Sequence, residues 1–262
     1  MEYKGSKLRH ELKYYINYNE YNYLKTRLAT LLKHDKNSAD GGYHIRSLYF
    51  DDIYHSSLNE KLSGIEFRQK YRIRIYNKED RLIKLECKSK FGEYISKTSV
   101  PINRDNFYSL INGGDINFLA QSPHKMCKDM FIAIKTRFLS PAVIVDYERE
   151  VFVLDEGNVR ITFDKDLSAA IDTVDVFCKD MHTVGAMEPG LMILEIKYDE
   201  YLPNHVKKLL QISSYERCAI SKYVICRLKQ FQLNPSAKYK LPLYDSNMND
   251  INLPYKKVLI NI

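Results

Sequence analysis

The stretch Glu66–Lys88, EFRQKYRIRIYNKEDRLIKLECK, constrains the fold more than any other part of this 262-residue chain. It reads as two strands joined at Asn77-Lys78-Glu79-Asp80, a polar turn of hairpin length. Side chains alternate faces along a strand. Arg68, Lys70, Arg72 and Arg74 therefore share one face of the first strand, with Phe67, Tyr71, Ile73 and Ile75 on the other. The second strand repeats the contrast, setting Lys84, Glu86 and Lys88 against Ile83, Leu85 and Cys87. One face can join a core. The other is a field of cations around one carboxylate.

A half-buried antiparallel sheet commonly carries charge on its solvated side, so a single hairpin of this kind excludes little. The remaining strands decide. Residues 9–16 alternate, with Arg9, Glu11 and Lys13 opposite Leu12, Tyr14 and Ile16. YHIRSLYFD puts His44, Arg46, Leu48 and Phe50 on one side, Arg46 being its charged member. EYISKTSVP alternates Lys97 against Tyr94, Ser96 and Thr98; AVIVDYEREVFVL groups Val143, Val145, Tyr147 and Arg149. VRITFD groups Arg160, Thr162 and Asp164, and LMILEIKYD groups Ile193, Glu195 and Lys197.

Helical spacing appears between these runs. Asn19 is a candidate cap for a helix with Leu24, Leu28, Leu31 and Leu32 as its stripe, ending near residue 33. Residues 103–138 read as helices opened by Asn103 or Asp105 and by Ser122-Pro123, packed outside the sheet. Pro203 opens another helix, and a last one is expected from near Ser213. No linker divides the chain, so residues 1–232 are expected to form one domain. The Pro-, Asn- and Lys-rich tail 233–262 reads as loop or partly disordered.

Composition sets wider bounds. A hydrophobic fraction of 45% and a charged fraction of 28% suit an ordinary globular core. Lys and Arg number 40 against 33 Asp and Glu, an excess of +7 that suits an anionic ligand but is too small by itself to indicate nucleic acid. No aromatic–basic recognition module is visible. No apolar run approaches the roughly 20 residues of a membrane span, and the first residues lack the apolar core of a signal peptide. Five cysteines without a CxxC pair fit reduced thiols and a cytoplasmic setting. His34, His55, His124, His182 and His205 have no ligand-like spacing, and His10 falls on the face away from Glu11 and Lys13.

Strand after strand thus offers cations on one face: Lys13, Arg46, Arg72, Arg74, Lys84, Lys88, Lys97, Arg149, Arg160 and Lys197, with Glu11, Glu86 and Glu195 among them. Like charge so concentrated repels itself unless an anion offsets it. About eight strands is also the number at which a sheet can close around side chains or a small ligand. The expected class is α+β, an antiparallel eight-stranded closed β-barrel braced by helices. With these residues inside, it would hold a long, narrow polyanion.

The sequence also resembles a known family. E-L-K-Y at 11–14, I-R-S-L-Y-F-D at 45–51, K-Y-R-I-R at 70–74 and K-L-E-C-K at 84–88 come first. D-Y-E-R at 146–149, R-I-T-F-D at 160–164, L-E-I-K at 194–197 and S-K-Y at 221–223 follow in the same order as in the VTC domain. This is the polyphosphate polymerase domain of the vacuolar transporter chaperone complex, one of the triphosphate tunnel metalloenzymes. The resemblance spans about residues 7–230 and implies a tunnel fold that passes the ATP γ-phosphate to inorganic polyphosphate with Mn²⁺ or Mg²⁺. Carried over, it implies phosphate-binding roles for Lys13, Arg46, Arg72, Arg74, Lys84, Arg149 and Arg160, joined by Lys88 and Lys197 on the same face. Lys222 would meet phosphate near a tunnel mouth. Arg72, Arg74, Lys84 and Glu195 are the expected catalytic set; Glu195 would hold the metal, with Glu86 a weaker candidate.

Hydrolytic relatives of the CYTH type carry ExExK on the first strand, whereas here the run is Arg9-His10-Glu11-Leu12-Lys13. Losing the first carboxylate favours the polymerase branch and leaves a metal dependent on substrate oxygens and water. A triphosphate hydrolase and a non-catalytic polyphosphate-binding subunit are the alternatives. A separately encoded membrane partner is compatible with either.

Overall fold

The computed structural model describes residues 2–3, 6–38, 41–211 and 215–233. Eight strands carry the architecture: β1 (Arg9–Ile16), β2 (Tyr43–Asp51), β3 (Phe67–Tyr76), β4 (Glu79–Phe91), β5 (Tyr94–Ile102), β6 (Ser140–Leu154), β7 (Val159–Ala170) and β8 (Met192–Tyr198). All neighbours are antiparallel. The order β8-β1-β5-β4-β3-β2-β6-β7 returns to β8, so the eight strands form a ring. Twisted antiparallel strands curl, and eight is about the number whose inward side chains fill the interior. The β1–β5 seam is the narrowest, holding only Arg9 opposite Ile95 and His10 opposite Tyr94. There His10 stacks on Tyr198 and leans on Tyr94, with both ring centroids at 4.9 Å. This is the structural place its strand parity implied.

The β3–β4 turn is tighter than its sequence reads. Tyr76 pairs with Glu79, leaving Asn77 and Lys78 as the turn at φ 52° and 59°. Two left-handed residues are the mark of the turn whose twist matches a hairpin. The Asn77 side chain also accepts the His44 backbone N–H at 3.1 Å, locking the turn to β2.

Helices cover the outside, and a short α2 (Ser56–Leu62) lies against β2 and β3. On one flank, α3 (Arg104–Asn112), α4 (Asn117–Gln121) and α5 (Lys125–Arg137) set Phe107, Leu119, Cys127 and Met130 against Ile73, Ile75 and Leu85. On the other, α1 (Tyr18–Ala29) and α6 (Asn204–Leu210) set Leu24, Leu28 and Val206 against Tyr14, Ile161, Leu194 and Ile196. The cap of α1 is Asn17, two residues before the expected Asn19. Its side chain accepts from Glu20 N–H at 3.0 Å while the Glu20 carboxylate accepts from Asn17 N–H at 2.7 Å, a closed capping box. The helix stops at Ala29, so Leu31 is 50% exposed and leaves the expected stripe. The last helix, α7, is Lys222–Leu233, and the expected start near Ser213 lies outside the described residues. It packs Tyr223, Val224 and Cys226 against the inward Val143, Val145, Leu167 and Ala169, filling one end of the ring with an apolar plug. Leu233 ends α7; the rest of the expected tail, 234–262, lies outside the described residues.

Candidate active site: a cation-lined bore

Parity and register decide what the ring encloses. Glu195 on β8 stands opposite Lys13 on β1 and Thr162 on β7; Arg72 on β3 stands opposite Glu86 on β4; Arg149 on β6 stands opposite Asp164 on β7. All of these point inward, and Lys222 joins them from the first turn of α7. Together they border a cavity of about 460 Å³, within the roughly 300–1,000 Å³ of small-ligand sites. Among the described residues, eleven basic side chains line it with one carboxylate, Glu195. The site residues Lys13, Arg72, Arg74, Lys88, Arg149, Arg160, Lys197, Lys222 and Glu195 all lie in that lining.

Most of these cations are fixed by acidic or hydroxyl partners. The Arg149 Nε and Nη2 donate to the two Asp164 oxygens at 2.6 and 2.7 Å, and Lys222 Nζ lies 2.5 Å from the same carboxylate. Arg72 meets Glu86 Oε2 through Nε at 2.8 Å and donates to the Tyr49 hydroxyl at 2.9 Å. Arg74 donates to Ser47 Oγ at 3.0 Å and the Tyr147 hydroxyl at 3.2 Å. Glu195 binds Lys197 at 2.5 Å and Lys13 at 3.3 Å. Glu11 is shared by Lys88 at 2.8 Å, Lys13 at 3.4 Å and Lys197 at 3.5 Å.

Burial raises every such carboxyl, yet it loses to the surrounding ammonium and guanidinium groups. Lys197, Lys13 and Lys222 hold Glu195 well below the usual carboxylate range, and Arg149 with Lys222 lowers Asp164. Burial likewise opposes the charge of Lys13, but Glu11 and Glu195 outweigh it and raise its pKa. For Lys88 burial wins, aided by Lys13, and the amine is brought down to about 7. For Lys70 burial with Lys61 and Arg68 nearby brings the amine well below its ordinary value. The Lys70 Nζ is buried without a hydrogen-bond partner and sits 4.5 Å from the Tyr223 ring centroid. An unmet buried donor among cations is a ready place for an anion's oxygen.

Three expected site residues stand apart. Arg46 faces outward: its Nε and Nη2 clasp Asp146 at 2.9 and 2.8 Å, and Nη1 donates to the Val176 carbonyl at 2.9 Å. Its neighbour Leu48 packs under the outer helices, which corrects the expected placement on the ligand face. Lys84 keeps the inward parity but lies over the Tyr76 ring at 5.4 Å, outside the lining of the cavity. Glu86 is fully buried with both oxygens engaged, by Arg72 on one side and by Lys97 at 2.9 Å and Ser99 at 3.3 Å on the other. It is a counter-ion in the wall rather than an open ligand.

Asp164, Tyr49 and Lys70 were absent from the expected set. Lys70 had a visible signal, its parity with Arg72 and Arg74. Asp164 shares parity with Arg160, and only the β6–β7 register makes it the partner of Arg149.

Among the described residues, no three His, Cys, Asp or Glu side chains gather as a metal-binding set. Glu195 and Glu11 flank Lys13, offering hard oxygen donors but no complete shell. To hold Mn²⁺ or Mg²⁺ as one or two ligands they would have to release the ammonium groups of Lys197, Lys13 and Lys88, and the ion would need further oxygen donors from elsewhere.

The ring encloses a cavity bordered mainly by basic side chains, a lining that suits an anionic ligand. The VTC domain model matches residues 8–231, and the chain belongs to that family, whose tunnel enzymes act on triphosphate or polyphosphate. No curated protein matches it. Among solved structures, a candidate adenylate cyclase from Bacillus halodurans is 12% identical over 83% of this chain and 95% of its own, at a TM-score of 0.48. A second from Vibrio parahaemolyticus is 11% identical over 84% and 98%, at 0.44. The PH1819 protein of Pyrococcus horikoshii OT3 is 14% identical over 85% and 99%, at 0.43.

Proposed function

We propose that the bore is the active site of a polyphosphate polymerase that moves the γ-phosphoryl group of ATP onto the end of an inorganic polyphosphate chain. The observation that carries this is the lining itself, eleven basic side chains with one carboxylate around a single cavity among the described residues. The terminal oxygen of the chain attacks the γ-phosphorus, the bond to the β–γ bridging oxygen breaks, and ADP leaves with that oxygen. No residue is phosphorylated, and the protein's tasks are alignment and charge neutralisation. Arg74 and the N–H groups that Arg72 and Arg149 do not spend on Glu86 and Asp164 meet phosphate oxygens, whereas Lys13, Lys197 and Lys222 act as point charges. Glu195 would hold Mn²⁺ or Mg²⁺, which supplies further neutralisation between phosphate oxygens.

Arg9, where hydrolytic relatives carry a carboxylate, pairs with Asp199 at 3.0 Å. This supports transfer over hydrolysis. Purified protein incubated with ATP and Mn²⁺ is expected to yield a ladder of polyphosphate on a gel. Arg74→Ala and Glu195→Gln are expected to abolish the ladder while leaving the chain folded. Release of orthophosphate alone would favour a hydrolase, and binding without turnover a polyphosphate-holding subunit. Full activity in both variants would remove the assigned roles.

A further inference from the structure

The two ends of the bore differ in the side chains that border them. One cavity is bordered by Lys61, Arg68, Lys90 and Arg217, shares Lys13 and Lys70 with the main bore, and has no aromatic residue in its lining. At the opposite end Tyr43 opens β2 and Tyr76 closes β3, two half-buried rings with centroids 6.0 Å apart and planes at 52°. They are tied to the phosphate-binding set. Arg160 donates to the Tyr43 hydroxyl at 3.2 Å and meets Asp35 at 2.6 Å.

We propose that Tyr43 and Tyr76 form a subsite for the nucleoside of a nucleoside triphosphate. The nucleotide then binds base-outward, with its phosphates running past Arg160 toward Arg149 and Arg74. This deepens the polymerase reading and rests on it. A bare phosphate chain needs only cations, which both ends supply. A base needs a flat apolar partner, and among the described residues that border the two ends only Tyr43 and Tyr76 offer one. Aromatic stacking accepts any base, because every base has a π-face, so adenine and guanine nucleotides are expected to bind alike. Arg160 at the hydroxyl of Tyr43 places the first phosphate contact next to that platform.

Calorimetric titration of the full chain with ATP, methyl triphosphate and inorganic triphosphate tests this. The wild-type chain is expected to bind ATP on the order of tenfold more tightly than methyl triphosphate, which keeps the phosphates without the base. Tyr43→Ala and Tyr76→Ala are expected to lose most of that tenfold for ATP and to hold inorganic triphosphate within about twofold. Tyr43→Phe and Tyr76→Phe, which keep the rings, are expected to retain ATP binding. Equal ATP and methyl triphosphate affinity in the wild type overturns the subsite and leaves the phosphate site standing. So does an equal loss of ATP and inorganic triphosphate in the alanine variants. A wild-type chain that binds none of the three ligands overturns the polymerase reading and the subsite with it.

Discussion

Arg46 and Arg74 lie on neighbouring strands with opposite fates. Arg46 spends its guanidinium on Asp146 outside the ring; Arg74 rests on two hydroxyls inside it, with the Glu86 carboxylate farther off at 3.9 Å. Removing one member of a buried ion pair strands the other and costs about 3–5 kcal/mol. Arg46→Ala is therefore expected to lower stability in urea denaturation by that order while leaving triphosphate affinity within about twofold. Arg74→Ala is expected to show the reverse, lost affinity with little change in unfolding midpoint. Asp164→Asn removes the counter-ion of Arg149 and Lys222. The unliganded chain should be destabilised by a similar about 3–5 kcal/mol, and added triphosphate should restore much of it. Parity alone could not separate Arg46 from Arg74. The β2 strand is apolar on both faces, with Leu48 under helices and Ile45 in the ring, so its sequence does not say which side is inward.

Elements were legible where periodicity was strong and local. The β3–β4 hairpin, its cationic face and the helices over 103–138 all follow from spacing of a few residues. The ends of elements were less so. Asn17 and Asn19 are both good caps by type, and it is Glu20 three residues after Asn17 that completes the reciprocal pair. Asn17→Ala is expected to cost about 1 kcal/mol in chemical denaturation, whereas Asn19→Ala should cost far less. The plug made by α7 was not legible at all. Its apolar run reads as an ordinary buried helix, and nothing local says that the buried face enters the ring.

For the molecule as a whole, closure depends on contacts far apart in sequence, β1 with β8 and β2 with β6. No short-range pattern reports these, so the count of strands and the repeated charge had to stand in for them. The enclosed charge has a pH signature. Burial brings Lys88 down to about 7, so its folded form is depressed below that of an exposed amine. Stability linked to Lys88 should then rise with pH from about 7 toward the ordinary lysine range, because the unfolded chain binds more protons there. Polyanion binding is expected to restore the charge. Above pH about 7 it should take up a proton, and affinity should fall as pH rises. Titrations in buffers of different ionisation enthalpy check this, and Lys88→Arg should flatten the response. The most direct measurement is a calorimetric titration of the wild-type chain and the Arg72→Ala/Arg74→Ala double variant with inorganic triphosphate at physiological salt. One saturable site per chain, lost in the double variant, is the predicted result; no saturable binding, or binding undiminished in the double variant, would contradict the account.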